Sequence, residues 1–96
     1  MLNNYPSLDL HGEYLESAII LTKEFINDNI ILKNEYISII HGIGTDTLRR
    51  GVHEYLKHEK RVLDYKRNFF NLGETIVKLK ITWLNLNNML HYMKIN

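Results

Sequence analysis

Two short polar turns carry the residues of this chain whose types could do chemistry. The first is Asp9-Leu10-His11-Gly12, and the second is His41-Gly42-Ile43-Gly44-Thr45. Carboxylates and imidazoles act as general bases or metal ligands, and glycines let a backbone approach a ligand closely. Each turn follows a stretch that predicts a β-strand and precedes a stretch that predicts a helix. Such turns meet at the carboxyl edge of a parallel β-α-β unit, where open sheets bind ligands and helix N-termini favour anions.

Four strands and two helices are predicted to position these turns. Apolar residues at helical spacing predict helices over about 13–27 and 47–59, and Asn29 or Asn34 is expected to stop the first. Alternating or β-branched apolar runs predict strands, and a turn joins the last two. The strands are 8–10, 36–40, 62–67 and 75–80, and the turn is 68–73. This βαβαββ order predicts an α/β two-layer sandwich, in which a four-stranded mixed sheet carries both helices on one face.

The domain is predicted to span residues 1–80, followed by a tail at 81–96. Apolar residues at helical spacing within the tail are Trp83, Leu86, Leu90 and Met93. A short C-terminal helix is therefore expected, either covering the sheet or meeting another chain.

Composition excludes several classes of protein. The 96 residues are 45% apolar and 24% charged, as in a small globular domain. Because cysteine is absent, a disulfide framework, a thiol nucleophile and a cysteine-based zinc site are excluded. No signal peptide and no apolar run of membrane-spanning length is visible, so we expect a cytoplasmic protein without membrane contact, and a monomer is favoured.

Positive charge is concentrated in the middle of the chain. Residues 1–46 contain seven acids and two bases, whereas residues 47–67 contain seven bases and three acids. A cationic segment beside glycine-rich turns suits a polyanion such as DNA or RNA, although a solvated helix face has the same composition.

The glycine-rich turn matches neither common nucleotide fingerprint. No lysine follows a glycine as in a P-loop, and Thr47 replaces the third glycine of the dinucleotide pattern. A phosphate of a polymer backbone therefore fits better than a small nucleotide. Arg49 and Arg50, in the first turn of the second helix, would add charged contacts. Lys57 could extend this binding face along the helix or be simply solvated.

These motifs together resemble the small MutS-related (Smr) domain over roughly residues 7–80. The resemblance rests on the two turns, on the segment 48–52 (Leu-Arg-Arg-Gly-Val), and on Gly73 with the strand 75–77. It implies the same βαβαββ fold and a nucleic-acid-binding endonuclease that nicks or cleaves phosphodiester bonds in DNA or RNA. Some relatives act on messenger RNA at stalled ribosomes, so the resemblance also implies a ribosome-associated role.

The resemblance assigns roles to individual residues. Asp9 would be a general base or a ligand of Mg²⁺ or Mn²⁺, and His11 would relay a proton or contact phosphate. His41 would either take part in the chemistry or be a core histidine that holds its turn. The remaining family positions would bind the nucleic acid, and they fall on Gly12, Gly42, Gly44, Thr45 and Arg49.

The chain departs from the family in the second turn, where relatives usually have a glycine and this sequence has Asp46. Its carboxylate is expected to cap the second helix by accepting from the N–H of Leu48 or Arg49, and to repel a phosphate there. Only Asp9 and Asp46, with Glu13 as a third, are acids on this edge. We therefore expect one metal ion or none.

Three other features leave alternatives open. His53 and His58 are predicted to be surface residues. The aromatic pair Phe69-Phe70 in the last turn would either stack on unpaired bases or fold back onto the helices. For function, the alternatives to an endonuclease are a non-catalytic nucleic-acid- or ribosome-binding module and an interaction domain that uses the tail.

Overall fold

The strands form one mixed sheet in which three strands end at the same edge. The computed structural model describes residues 4–44 and 46–81. The elements are β1 (Ser7–Asp9), α1 (Leu15–Ile31), β2 (Tyr36–Ile40), α2 (Thr47–His58), β3 (Val62–Asn68) and β4 (Asn71–Leu79). The sheet order is β1-β2-β4-β3, with β1 and β2 parallel and β4 antiparallel to both of its neighbours. Strands β1, β2 and β3 thus run in one direction, and their carboxyl ends meet the start of β4. The predicted βαβαββ fold is confirmed.

Both helices cover the sheet face to which the apolar members of each strand point. Ile37 and Ile39 of β2 alternate with polar or half-exposed neighbours, and Val77 and Leu79 of β4 lie on the same face. Together with Leu10 and four helix residues they form a core that is at most 1% exposed. The helix residues are Ala18, Ile26, Val52 and Leu56. Helix α1 packs against α2, and a Cβ at Gly51 would run into the Leu15 side chain.

Helix α1 continues four residues beyond its predicted end. Asn29 does not stop it, because its side-chain amide donates to the Phe25 carbonyl one turn earlier at 2.8 Å. The helix ends where Lys33 adopts a left-handed φ of 63°. The N–H of Asn34 then bonds the Asn29 carbonyl at 2.9 Å, and the N–H of Lys33 bonds the Ile30 carbonyl at 3.1 Å. This pair of bonds is a Schellman motif, with lysine in the place usually taken by glycine.

Strand β4 begins four residues earlier than predicted, so the connection after β3 is a two-residue turn of Phe69 and Phe70 rather than the expected 68–73. Polar side chains support this longer hairpin. Arg67 donates to the Leu72 carbonyl from Nε at 3.1 Å and from a terminal nitrogen at 2.9 Å. The sequence pattern concealed the extension because residues 71–74 do not alternate in hydrophobicity.

The remaining boundaries agree with the sequence to within two residues, the largest difference being the start of α1 at Leu15 rather than Glu13. Helix α2 was predicted over 47–59, and Glu59 is the residue that caps its C-terminus. None of the helices in the described ranges is long and apolar enough to cross a membrane. Thr45 and the predicted helix in the tail, at residues 82–96, lie outside the described residues.

Candidate nucleic-acid interface

A cleft of about 400 Å³ opens at the sheet edge where β1 and β2 end. One part of its lining is the turn 11–14 after β1, and another is the turn 41–44 after β2. The start of α2 contributes Asp46, Leu48 and Arg49. The fold therefore brings both predicted turns and a helix N-terminus to one concave surface, as the parallel β-α-β arrangement requires.

Glycines shape both turns. Gly12 and Gly42 have φ values of 83° and 82°, which residues with a Cβ atom rarely adopt. Gly73 of β4 lies against the second turn, and its carbonyl accepts from the N–H groups of both His41 and Gly42, at 2.9 and 3.0 Å. A Cβ at Gly73 would come within 3.2 Å of the Gly42 carbonyl carbon. Glycine at position 73 thus permits the backbone contact that fixes the turn.

Asp9 and His11 form an exposed pair beside the cleft. The Asp9 Oδ1 accepts from the His11 backbone N–H at 3.0 Å and lies 3.6 Å from His11 Nδ1. Their side chains are 62% and 78% exposed, so solvent and a substrate reach both. A carboxylate that faces one ring nitrogen can orient the imidazole and stabilise its protonated form while the other nitrogen exchanges a proton. The same carboxylate also anchors its own turn.

His41 is buried at the base of the cleft and is hydrogen-bonded at both ring nitrogens. Its Nδ1 lies 2.9 Å from the Gly42 carbonyl, and its Nε2 lies 2.8 Å from Thr75 Oγ1. Because a carbonyl only accepts, Nδ1 must carry the proton, and Nε2 of the neutral ring accepts from the Thr75 hydroxyl. The arrangement makes His41 a buried support of the turn, with an exposed fraction of 5%.

His53 is a partner in this cluster, and the prediction that it is a surface residue was wrong. Its Nε2 lies 2.7 Å from the same Thr75 Oγ1, and its ring packs edge-on against His41 and Tyr65. Since the hydroxyl proton goes to His41, His53 Nε2 must be the donor. The helical spacing contained the signal: His53 lies on the stripe 49, 52, 53 and 56, which includes the buried Val52 and Leu56.

Burial keeps both histidines of this cluster neutral. Desolvation is the largest cause that lowers the pKa of His41, and the nearby charges of Arg67 and Arg49 lower it further, against the hydrogen bond to Gly42, which raises it. Desolvation, followed by the proximity of His41, lowers the pKa of His53 to about 4. Neither ring is positioned to carry positive charge at neutral pH.

Asp46 does not cap α2, contrary to prediction. An N-cap side chain bonds a helix N–H from an extended backbone, whereas Asp46 has a left-handed φ of 66° and makes no side-chain cap bond. Its Oδ1 instead accepts from Arg49 Nε at 3.0 Å. This hydrogen bond is the largest cause that lowers the pKa of Asp46, and it raises the pKa of Arg49. A left-handed backbone is a conformation that glycine adopts without steric cost and that aspartate tolerates.

The other predicted binding residues differ in their relation to the cleft. Gly44 lines it, and a Cβ there would meet nothing within 4 Å. Arg50 is exposed in the first turn of α2, beside the cleft. Lys57 is exposed seven residues further along, about 10 Å away along the helix axis, so the fold does not bring it to the cleft.

A second polar cluster, missed from the sequence, lies on the sheet face opposite the helices. The carboxylate of Glu74 accepts from the Ser38 hydroxyl and, at 2.6 Å, from the Asn68 amide. Strand register places Glu74 opposite Ile40, whose other neighbour is Asp9, so the backbones of the two acids lie about 10 Å apart on either side of Ile40. Strand order cannot be read from local patterns, so no signal in the sequence pointed to this row.

Asp9 is the acid of this edge best suited to a divalent cation. Magnesium is often held by one or two carboxylates with waters and substrate phosphates. The exposed carboxylate of Asp9 fits that mode. Within residues 4–44 and 46–81, no group of three or more His, Cys, Asp or Glu side chains converges on a common point.

The buried histidines predict that the protein loses stability in mild acid. Histidines of the unfolded chain become protonated near pH 6.5, whereas burial lowers the pKa of native His53 to about 4. The unfolded state therefore binds more protons than the native state between these two pH values. We expect the free energy of unfolding, measured by urea titration with circular dichroism, to fall as pH decreases from 7 to 5. His53→Phe keeps the ring packing and should show a smaller decrease.

His58→Phe is the matched control, because His58 is 68% exposed and does not contact Thr75. A His53→Phe decrease as large as that of wild type and of His58→Phe would contradict the buried neutral pair.

Comparisons with known proteins agree with this geometry. The family model described as Smr domain matches residues 8–80. Endonuclease MutS2 of Geobacillus sp. (strain WCH70) is 42% identical over 76% of this chain, and that of Finegoldia magna is 40% identical over the same share. The chain spans about a tenth of the length of these relatives.

Two solved structures share the fold. The Smr domain of Thermus thermophilus MutS2 has a TM-score of 0.76 at 26% identity, covering 78% of this chain and 98% of that domain. YdaL, a stand-alone small MutS-related protein from Escherichia coli, has a TM-score of 0.74 at 23% identity, covering 81% of this chain and 66% of YdaL. With its match over residues 8–80 and its βαβαββ sheet, the chain belongs to the Smr domain family.

Proposed function

We propose that this Smr domain binds DNA or RNA at the cleft and cleaves a phosphodiester bond there. The observation that carries the proposal is the exposed Asp9–His11 pair beside a cleft lined by two glycine turns and a helix N-terminus. The relatives named endonuclease MutS2 support the same reaction class. The cleft fits an extended polymer because it lies open along the sheet edge.

The anion would be held by backbone groups together with arginines. The first N–H groups of α2 have no partner within their own helix, and they favour a negative charge. Arg49 reaches this place when it leaves Asp46, and Arg50 adds a second positive charge. Gly44 leaves room for a phosphate to approach the backbone. Thr45, between these groups in the chain, would add a hydroxyl donor.

The Asp9–His11 pair would supply the proton transfer. His11 removes the proton from an attacking water or ribose hydroxyl as its oxygen bonds to phosphorus. Asp9, 3.6 Å from Nδ1, stabilises the imidazolium that forms. The P–O bond on the far side of phosphorus breaks, and the leaving oxygen takes a proton from a solvent water. His41 would act indirectly, by holding the Gly42 turn in place while remaining neutral.

A divalent cation fits this scheme with Asp9 as its protein ligand. Mg²⁺ or Mn²⁺ would neutralise charge that develops on the phosphate. Water and phosphate oxygens would complete its coordination. Glu13 also lines the cleft, but this scheme needs no ligand from it.

The second candidate is a non-catalytic module that binds nucleic acid or a ribosome. Two observations favour it. The carboxylate of Asp46 forms an ion pair with the Arg49 guanidinium that would otherwise bind a phosphate. In addition, no cluster of three metal-ligating side chains occurs in the part of the chain that the structure describes. Both candidate functions are compatible with a monomeric protein in the cytoplasm.

Replacing Asp9 separates catalysis from binding. We expect Asp9→Asn to lower the cleavage rate by about 10²-fold or more, since proton-transfer groups contribute 10²–10⁴-fold. Affinity for the same substrate should stay within about threefold, because the phosphate is held elsewhere. Labelled single-stranded RNA, duplex DNA and supercoiled plasmid would be incubated with Mg²⁺, Mn²⁺ or chelator.

Glu13→Gln is the control on the same cleft and should retain cleavage. Equal loss in both variants would contradict the role given to Asp9. Binding without cleavage by the wild-type protein would support the second candidate.

Releasing Arg49 from its ion pair is expected to tighten binding. Asp46→Asn removes the competing charge and keeps a residue tolerant of a left-handed backbone, so Kd for an oligonucleotide should fall roughly threefold to tenfold. Asp46→Gly should lower Kd by a similar factor. Fluorescence anisotropy at fixed salt measures both.

The gain in affinity from Asp46→Asn should disappear when Arg49 is also replaced by Gln, because the freed guanidinium causes it. An unchanged Kd for Asp46→Asn would show that phosphate does not bind at this helix terminus.

A further inference from the structure

An aromatic hairpin tip stands at the same sheet edge as the cleft. Phe69 and Phe70 form the two-residue turn between β3 and β4, and each is 87% exposed. Their rings contact each other edge to face, with centroids 5.7 Å apart. Turns of this length favour glycine, asparagine and aspartate, so two exposed phenylalanines here are not explained by turn geometry. Folding of these rings onto the helices, one of the two alternatives from the sequence, does not occur.

Side chains of the hairpin hold this tip in place. The Asn68 side chain accepts from the Phe70 N–H at 2.9 Å and donates to buried Glu74. The Asn71 side chain accepts from the Gly73 N–H at 3.2 Å, and Arg67 bonds the Leu72 carbonyl. The tip is thus fixed to the sheet in advance of any contact, which lowers the entropic cost of binding.

The tip is close to the cleft and is positively charged. Gly73, three residues after Phe70, bonds directly to the turn of His41 and Gly42, so the backbone of Phe70 lies about 10 Å along the strand from this contact. Residues 66–73 contain two basic residues and no acid. A purely apolar partner would not require these positive charges. A nucleic-acid strand with unpaired bases matches both features, because its bases can stack on the rings and its phosphates can contact the basic side chains.

We propose that Phe69 and Phe70 stack on unpaired bases of the strand whose phosphate lies in the cleft, so that the preferred substrate is single-stranded nucleic acid or a single-stranded segment flanking a duplex. The inference rests on the proposed function. Bases in a duplex already stack on one another and present only their edges in the grooves, so the rings would discriminate against fully paired substrates.

The test compares affinities for a single-stranded 12-mer and for the same sequence fully paired, by fluorescence anisotropy at several salt concentrations. The double variant Phe69→Ala/Phe70→Ala should weaken single-strand binding at least tenfold. Duplex binding should change less than twofold, and the salt dependence should be unchanged because no charge is lost. Leu63→Ala, at an exposed apolar position elsewhere on β3, should leave both affinities as in wild type.

Two further variants distinguish stacking from general apolar contact. Phe69→Tyr/Phe70→Tyr should retain single-strand affinity, whereas Phe69→Leu/Phe70→Leu should lose it although it is equally apolar. Full affinity in the leucine variant would overturn the proposal. So would equal wild-type affinity for single strand and duplex, or self-association that the alanine variant abolishes without any effect on nucleic-acid binding.

The outcomes also separate this inference from the proposed function. Asp9-dependent cleavage of duplex substrates, with no effect of the phenylalanine variants, would overturn the stacking proposal alone. Absence of wild-type binding to any nucleic acid would overturn both.

Discussion

The contact on which the site depends is the backbone junction between Gly73 and the second turn. One carbonyl accepts two successive N–H groups, and the absence of a side chain at position 73 allows β4 to approach Gly42 closely. This junction ties the glycine-rich turn to the strand inserted between β2 and β3. It also sets where the aromatic hairpin tip stands relative to the cleft. Without it, the turn after β2 would lose the two backbone hydrogen bonds that hold it against β4.

A buried hydroxyl supports this junction from within the core. Thr75, two residues after Gly73, has no exposed surface and joins His41 to His53. The directions of the hydrogen bonds follow from one fact, that the Gly42 carbonyl can only accept. Helix α2, strand β4 and the turn after β2 are thereby connected through neutral side chains. Polar groups at the surface, by contrast, remain free to meet a ligand: Asp9 and His11 are both well exposed.

Much of the fold was readable because local patterns and tertiary packing agree. The β-branched run of β2 and the apolar stripe of α2 fixed both elements to within one residue. The predictions for helix ends were less accurate, because a polar side chain near a helix end can bond more than one partner. Of the two asparagines expected to stop α1, Asn29 bonds within the helix and Asn34 takes part in the bonds that end it. Asp46 pairs with Arg49 instead of capping α2. Topology predicted that the two turns meet at one sheet edge, and the structure brings them together there, whereas the positions of His53 and Glu74 depend on contacts between distant strands and helices.

The central claim is that nucleic acid binds at the cleft formed by the two turns and the start of α2. Its most direct test is a nuclear magnetic resonance titration of the ¹⁵N-labelled protein with a short single-stranded oligonucleotide. We expect the largest amide shifts at Gly12, Gly42, Gly44 and Leu48. Shifts centred instead on the depression formed by α1 and Arg61, around Lys23 and Asn27, or the absence of shifts at saturating oligonucleotide, would contradict the account.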